Sequence, residues 1–228
     1  MTLPILSVPT FDVDVFSTKQ KVKMRPFLVK EEKILILAAE SQERSDMVRA
    51  MQQVVQSCSN GNLDAEKLPF FDLQNIFIRL RSQSIGKDSE FNLICGECGH
   101  KTATTLDLDD IQLRTNPDHS NKIMIDSDIG VIMKYPTAEI LSSEDMPMFD
   151  LVVSCIDKIF TKEEVHNASE EGYEEVAKFI DGLTNEQFEK IVEFFLTSPK
   201  IFHNIDYVCP KCQTENSVVV DGVENFFG

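Results

Sequence analysis

A chain of 228 residues is long enough to bury a sizeable core without a metal or disulfide to hold it, and 42% hydrophobic with 26% charged residues is globular rather than disordered composition. Against 22 Lys and Arg stand 38 Asp and Glu, a formal charge of −16 whose field repels phosphate and argues against sequence-independent nucleic-acid binding. No apolar run reaches the eighteen or so residues that span a bilayer, and residues 1–16 carry Asp12 and Asp14 instead of a basic-then-apolar leader, so a soluble, non-secreted protein with no membrane partner is expected.

Residues 1–30 read as an extended N-terminal arm. Lys19, Lys21, Lys23 and Arg25 alternate with Val22 and Met24 before Pro26, the period of a strand or edge segment. Residues 31–88 read as an N-terminal helical region. Ile34, Leu35, Leu37, Ala38, Met47, Val48, Met51, Val54 and Val55 recur at helical spacing, as one long helix or two in line with a break near 41–45. Pro69 then opens a helix with Phe70, Leu73, Ile76, Phe77 and Leu80 on one face, stopped by Gly86. Arg79 and Arg81 fall near its end, where solvated cations suit the helix dipole.

Residues 89–136 read as strand-rich, with runs at 91–94, 102–108, 122–125 and 130–135 and turn residues Asn116, Pro117, Asp118 and Asp126 to Asp128 between them. The expectation is one small sheet in the middle of the chain. Helices return over 137–202. Ser142 or Ser143 can cap a helix through Phe149, Leu151, Val152, Cys155, Ile156 and Ile159, and 170–180 reads as a short acidic helix. Thr184 with Gln187 forms a capping box for Phe188, Ile191, Val192, Phe194, Phe195 and Leu196, ending at Ser198-Pro199. Residues 203–228 close the chain, with a hairpin over 205–220. The fold class expected is α+β: a helix-rich domain with a small antiparallel sheet and a split four-cysteine zinc ribbon.

Four of six cysteines form two knuckles, Cys95-Gly96-Glu97-Cys98 and Cys209-Pro210-Lys211-Cys212, each between strand-like runs. Two residues between cysteines let one tight turn aim both sulfurs at one ion, and two such turns complete a tetrahedral thiolate shell. One structural zinc ion on Cys95, Cys98, Cys209 and Cys212 is therefore the metal reading, with no open coordination position for hydrolytic chemistry. The knuckles are much farther apart than the fifteen to twenty residues of a compact ribbon, so both ends of a large insertion must return to one place. The alternatives are a redox dithiol, disulfides, or buried thiols that meet by chance. A redox pair opens a helix beside a βαβ unit, and neither knuckle does. Cys58 and Cys155, each alone in an amphipathic pattern, read as core thiols.

The four histidines, His100, His119, His166 and His203, have no hydrolase spacing, and no phosphate-binding loop or nucleophile elbow occurs. Asp126 to Asp128 lie in a turn lacking the remaining ligands of a calcium loop. No enzyme is expected and no catalytic residue stands out.

Three segments are specific in wording. The first runs Met24-Arg25-Pro26-Phe27-Leu28-Val29-Lys30-Glu31-Glu32-Lys33-Ile34-Leu35, with Ala39-Glu40-Ser41 soon after. The second is Phe71-Asp72-Leu73, continuing through Phe77 and Leu80-Arg81-Ser82-Gln83-Ser84-Ile85-Gly86 to the first knuckle. The third runs from Phe179-Ile180-Asp181 through Leu183-Thr184, Gln187-Phe188 and Phe194-Phe195 to Ser198-Pro199-Lys200 and the second knuckle. Together they resemble the baseplate hub family of contractile-tailed, T-even-like bacteriophages, over most of the chain from about Arg25 onward. The resemblance implies a non-enzymatic viral protein, a hub component or assembly chaperone, made in the host cytoplasm, with other hub or tail proteins as partners; it leaves open whether the chain stays in the virion baseplate. Arg25, Phe27 and Lys30 are the candidate partner contacts, since an arm presenting an aromatic among cations can dock. The reading from a different class is a zinc-ribbon regulator that binds nucleic acid. Around the knuckles, however, only Lys101 and Lys211 face Glu97, Asp206 and Glu215, far from a basic platform.

Overall fold

The computed structural model describes residues 7–142 and 146–220. Strands β1 (Phe11–Val15) and β2 (Gln20–Met24) pair antiparallel as a hairpin. Val13, Val15, Val22 and Met24 are buried on one face, while Asp14 sits opposite Lys21 and Asp12 opposite Lys23 on the other. The expected extended arm is thus folded back on itself: Lys21 and Lys23 alternate with the buried residues because each faces a carboxylate on the neighbouring strand. Buried Asp72 accepts the backbone N–H groups of Phe16 (2.8 Å) and Ser17 (3.0 Å), tying the hairpin turn to the helix that carries it.

Helices α1 (Val29–Ser41) and α2 (Arg44–Cys58) are separated by Gln42 in the left-handed region, φ 58°. The two pack against each other instead of running in line, since one such residue turns the chain back. Helix α3 (Phe70–Ser84) follows Pro69 as expected and contacts α2, β1 and the returning strands. It is buried on nearly all sides, Gln74 and Asn75 included. Neither arginine at its end is a solvated cation. Arg79 donates to the carbonyls of Leu108 (3.2 Å) and Ile111 (2.5 Å) and pairs with Asp109. Arg81 has its Nη1 buried with no hydrogen-bond partner among the described residues, and burial lowers its pKa.

The middle of the chain is not one sheet. Strands β3 (Asp88–Ile94) and β4 (Lys101–Asp107) form a hairpin of their own. Strand β5 (Gln112–Arg114) joins β10 (Lys200–Val208) and β11 (Glu215–Val220) in a three-stranded antiparallel sheet ordered β11-β10-β5. These elements, residues 1–114 with 200–228, make one compact unit. Arg114, where the chain leaves it, is the cross-strand partner of Lys200, where the chain returns.

Residues 115–199 form the second unit. Its sheet, β6 (Lys122–Met124), β7 (Gly130–Met133), β8 (Ile156–Phe160) and β9 (Val165–Asn167), is antiparallel throughout in that order. Helices α4 (Ala138–Leu141), α5 (Met148–Cys155), α6 (Ala168–Glu171), α7 (Tyr173–Asp181) and α8 (Asn185–Thr197) complete it. The core gathers Val131, Met133, Val152, Cys155, Ile156, Ile180, Ile191 and Phe194 among others. The helix expected through Ile159 ends at Cys155, where the peptide beyond turns extended and Lys134 N–H donates to Cys155 O at 2.8 Å. Ile156 and Ile159 serve a strand as well as a helix, and pairing with β7 decides. Pro147, not a serine, precedes α5; Ser142 follows α4, and Ser143 lies outside the described residues. The acidic helix is two pieces divided at Gly172, φ 84°. The Thr184–Gln187 capping box is formed, with Gln187 N–H to Thr184 Oγ1 at 3.3 Å and Thr184 N–H to Gln187 Oε1 at 2.9 Å. No helix among the described residues is long and apolar enough to cross a membrane.

Candidate metal centre

The two knuckles are turns of one design. In the first, Gly99 N–H donates to Cys95 O (2.9 Å) and Cys95 N–H to His100 O (3.0 Å). In the second, Gln213 N–H donates to Cys209 O (2.9 Å) and Cys209 N–H to Thr214 O (2.9 Å). Each turn needs a left-handed residue directly after its second cysteine, and Gly99 (φ 67°) and Gln213 (φ 61°) fill the two places. The first knuckle joins β3 to β4 and the second joins β10 to β11. Gly96 N–H donates to Asn216 Oδ1 at 3.3 Å, linking one turn to the strand of the other.

This arrangement brings all four sulfurs within 4.8 Å of one another. Cys95 and Cys212 Sγ are 3.6 Å apart, and Cys98 and Cys209 Sγ 3.7 Å. A tetrahedral zinc thiolate shell with bonds of ~2.3 Å has sulfur–sulfur edges of ~3.8 Å, so these separations fit an ion at the centre and are too long for a disulfide. Among the described residues the four cysteines are the one such cluster of potential ligands. Cys95 and Cys209 are buried and Cys212 exposed, so the cluster lies at a surface with its inner half covered.

Electrostatics favour a cation there. Backbone N–H groups of Cys98 and Glu97 lower the Cys95 pKa, and Thr214, whose Oγ1 is 3.3 Å from the sulfur, brings Cys212 down to about 6. At Cys98 the His100 N–H favours thiolate, but burial and the surrounding sulfurs push the thiol up to about 12. Four sulfurs this close cannot all ionise without a positive ion between them. Nearby, the Tyr207 hydroxyl is buried without a hydrogen-bond partner among the described residues, and burial followed by the four sulfurs raises its pKa. Sequence reasoning singled out neither Tyr207 nor Asn216, for nothing in their spacing marks them; only the strand register does.

The other sequence candidates are placed elsewhere. Cys58 and Cys155 are fully buried, and burial pushes their thiols up to about 11 and about 12, as befits inert core residues. Phe27 is buried, its N–H bonded to Ser84 Oγ at 3.0 Å. Arg25 pairs with buried Glu31 at 2.8 Å. Both are thus committed inside the chain, and of the three candidate contacts Lys30 alone is exposed. Asp126 Oδ1 accepts N–H groups from Asp128 and Ile129, each at 2.8 Å, which is turn chemistry.

The model of a family described as T4 bacteriophage base plate protein matches residues 8–228. The chain is also 24% identical over 217 residues to the baseplate hub assembly protein gp26 of Enterobacteria phage T4, covering 95% of this chain and 96% of that one. No solved structure matches it. With the family model matching residues 8–228, nearly the whole length, this chain belongs to the T4 bacteriophage base plate protein family.

Proposed function

We propose that this chain is a non-enzymatic component or assembly factor of the phage tail baseplate hub, acting in the host cytoplasm through contacts with other baseplate proteins. The observation that carries the reading is the family match over residues 8–228, supported by the T4 relative named for hub assembly. One zinc ion on Cys95, Cys98, Cys209 and Cys212 would have a structural role, because four thiolates leave no position for water or substrate. Its place explains its use: it joins the β3–β4 hairpin to the β10–β11 hairpin, in the unit from which residues 115–199 depart and to which they return.

Quantitative mass spectrometry of gradient-purified particles beside infected-cell lysate tests the assignment. Peptides at fixed stoichiometry to baseplate proteins in the particle identify a structural subunit. Peptides bound to tail proteins in the lysate but missing from particles identify an assembly factor. No association with tail proteins in either fraction overturns the proposal.

A further inference from the structure

Helix α1 is apolar on two opposite sides. Leu35 and Ala38 are buried against the rest of its unit, while Val29, Ile36 and Leu37 are 66%, 50% and 66% exposed. With Lys33 and Glu40, also exposed, these residues fall at i, i+4, i+7, i+8 and i+11 from Val29, a single stripe down the outer face. A surface helix ordinarily turns its polar residues to water and its apolar ones to the core, so three large apolar side chains at this exposure within nine positions on the outer face suit a surface that another body covers.

The charges on the stripe say which body. Lys33 lies on one side of the Ile36–Leu37 pair and Glu40 on the other, with Ile36 and Leu37 midway between them. A two-fold axis between Ile36 and Leu37, perpendicular to the helix, brings Lys33 of one copy opposite Glu40 of the other, twice, and sets Ile36 against Leu37. The same residues offered to a parallel neighbour would oppose like charges. From these observations we propose that the outer face of α1 pairs antiparallel with α1 of a second copy, so that the chain self-associates as a two-fold dimer. The interface is independent of the cysteine cluster and stands whether or not the baseplate reading does. A thirteen-residue helix is only ~20 Å long, so the contact is at the small end of specific interfaces and the dimer is weak and concentration-dependent.

Sedimentation velocity on the purified full chain, from low to high micromolar concentration, tests this. The wild type should pass from monomer to dimer. Lys33→Glu and Glu40→Lys should each weaken self-association about tenfold or more, since each sets two like-charge pairs in the contact. Mixed together, the two variants should associate with each other about as tightly as wild type, because both positions 33 and 40 are then acidic in one copy and basic in the other, and every cross-pair is attractive. That recovery also excludes misfolding as the cause of either loss. Ile36→Glu should stay monomeric with unchanged melting. A wild type that is monomeric throughout overturns the proposal, and co-elution with another tail protein, lost in Ile36→Glu, would then assign the stripe to a different chain. Dimers indifferent to all three substitutions, or charge variants that fail to recover on mixing, overturn it equally.

Discussion

At the scale of single residues the knuckles make opposite predictions for two equivalent positions. Gly99 and Gln213 occupy the same left-handed place in their turns, at φ 67° and 61°. A side chain there costs roughly 1–2 kcal/mol against glycine, offset in part by the greater unfolded freedom of glycine. Gly99→Ala should therefore lower stability by about 1 kcal/mol and Gln213→Gly raise it by about 0.5–1 kcal/mol, read from denaturant midpoints at constant metal. The four cysteines, as proposed zinc ligands, behave differently. Cys98→Ser or Cys212→Ser should each abolish stoichiometric zinc by elemental analysis and lower the melting temperature, because an incomplete thiolate shell loses much of the about 10–16 kcal/mol that structural zinc can contribute. Wild-type melting in either variant would show that the sulfurs meet without purpose. The meeting of the four cysteines was legible in the sequence, since two residues between cysteines dictate the turn and two such turns suit one centre. Tyr207 was not, because its relation to the cluster depends on where β10 lies, and a strand does not announce its neighbours.

Elements were legible where one local rule dominated and obscure where pairing decided. Pro69 at the start of α3 and the Thr184–Gln187 box at the start of α8 are local chemistry, and both helices begin where the sequence says. Strand β8 has apolar positions compatible with either period, and only its pairing with β7 and β9 makes it a strand. The N-terminal hairpin was missed because acids at 12 and 14 and lysines at 21 and 23 look like two unrelated runs until the turn brings them opposite. Helix α1 starts on a device equally invisible in spacing alone. Buried Glu31 accepts the Leu28 N–H at 2.8 Å while paired to Arg25, a half capping box that leucine cannot reciprocate. Burial would raise the Glu31 pKa, but the bonds from Arg25 and Leu28 outweigh it and the net shift is downward. A folded pKa below the unfolded one means stability that is complete above about 4.5 and is lost as pH falls through the folded value. Glu31→Gln should cost about 2–3 kcal/mol at neutral pH, the worth of hydrogen bonds to a charged group. The deficit should shrink below pH ~4.5 as wild-type Glu31 takes up its proton. A deficit that is the same at every pH would assign Glu31 a packing role only.

At the scale of the whole molecule, the two units carry separate stabilising devices that respond to different conditions. The cysteine cluster lies among strands of the unit formed by residues 1–114 and 200–228, so if it holds the proposed zinc, chelation should remove support there. The unit of residues 115–199 has no part in it and depends on a packed core around Phe194. On the edge of that core His119 bonds Thr197 Oγ1 and Tyr135 Oη, each at 2.9 Å, and lies against the Phe194 ring with centroids 5.0 Å apart. Burial lowers its pKa from 6.5, so the unfolded chain binds the proton first and stability of this unit falls as pH drops below about 6.5. His166, raised by its bond to Glu171, has the opposite sign, but it is exposed and solvent screens it. Hydrogen exchange read by mass spectrometry separates the two devices. With a chelator at pH 7.5, amides of β3, β4, β10 and β11 should lose protection while those of α5 and α8 keep theirs. In wild type with metal retained, moving from pH 7 to 6, after correction for intrinsic exchange rates, should selectively speed α8. His119→Gln, neutral at both values, should remove that pH dependence while leaving the response to chelator unchanged. Equal loss of protection in both units under the chelator would mean that they unfold as one, and that the paired strands at Arg114 and Lys200 transmit the loss of metal across the whole chain.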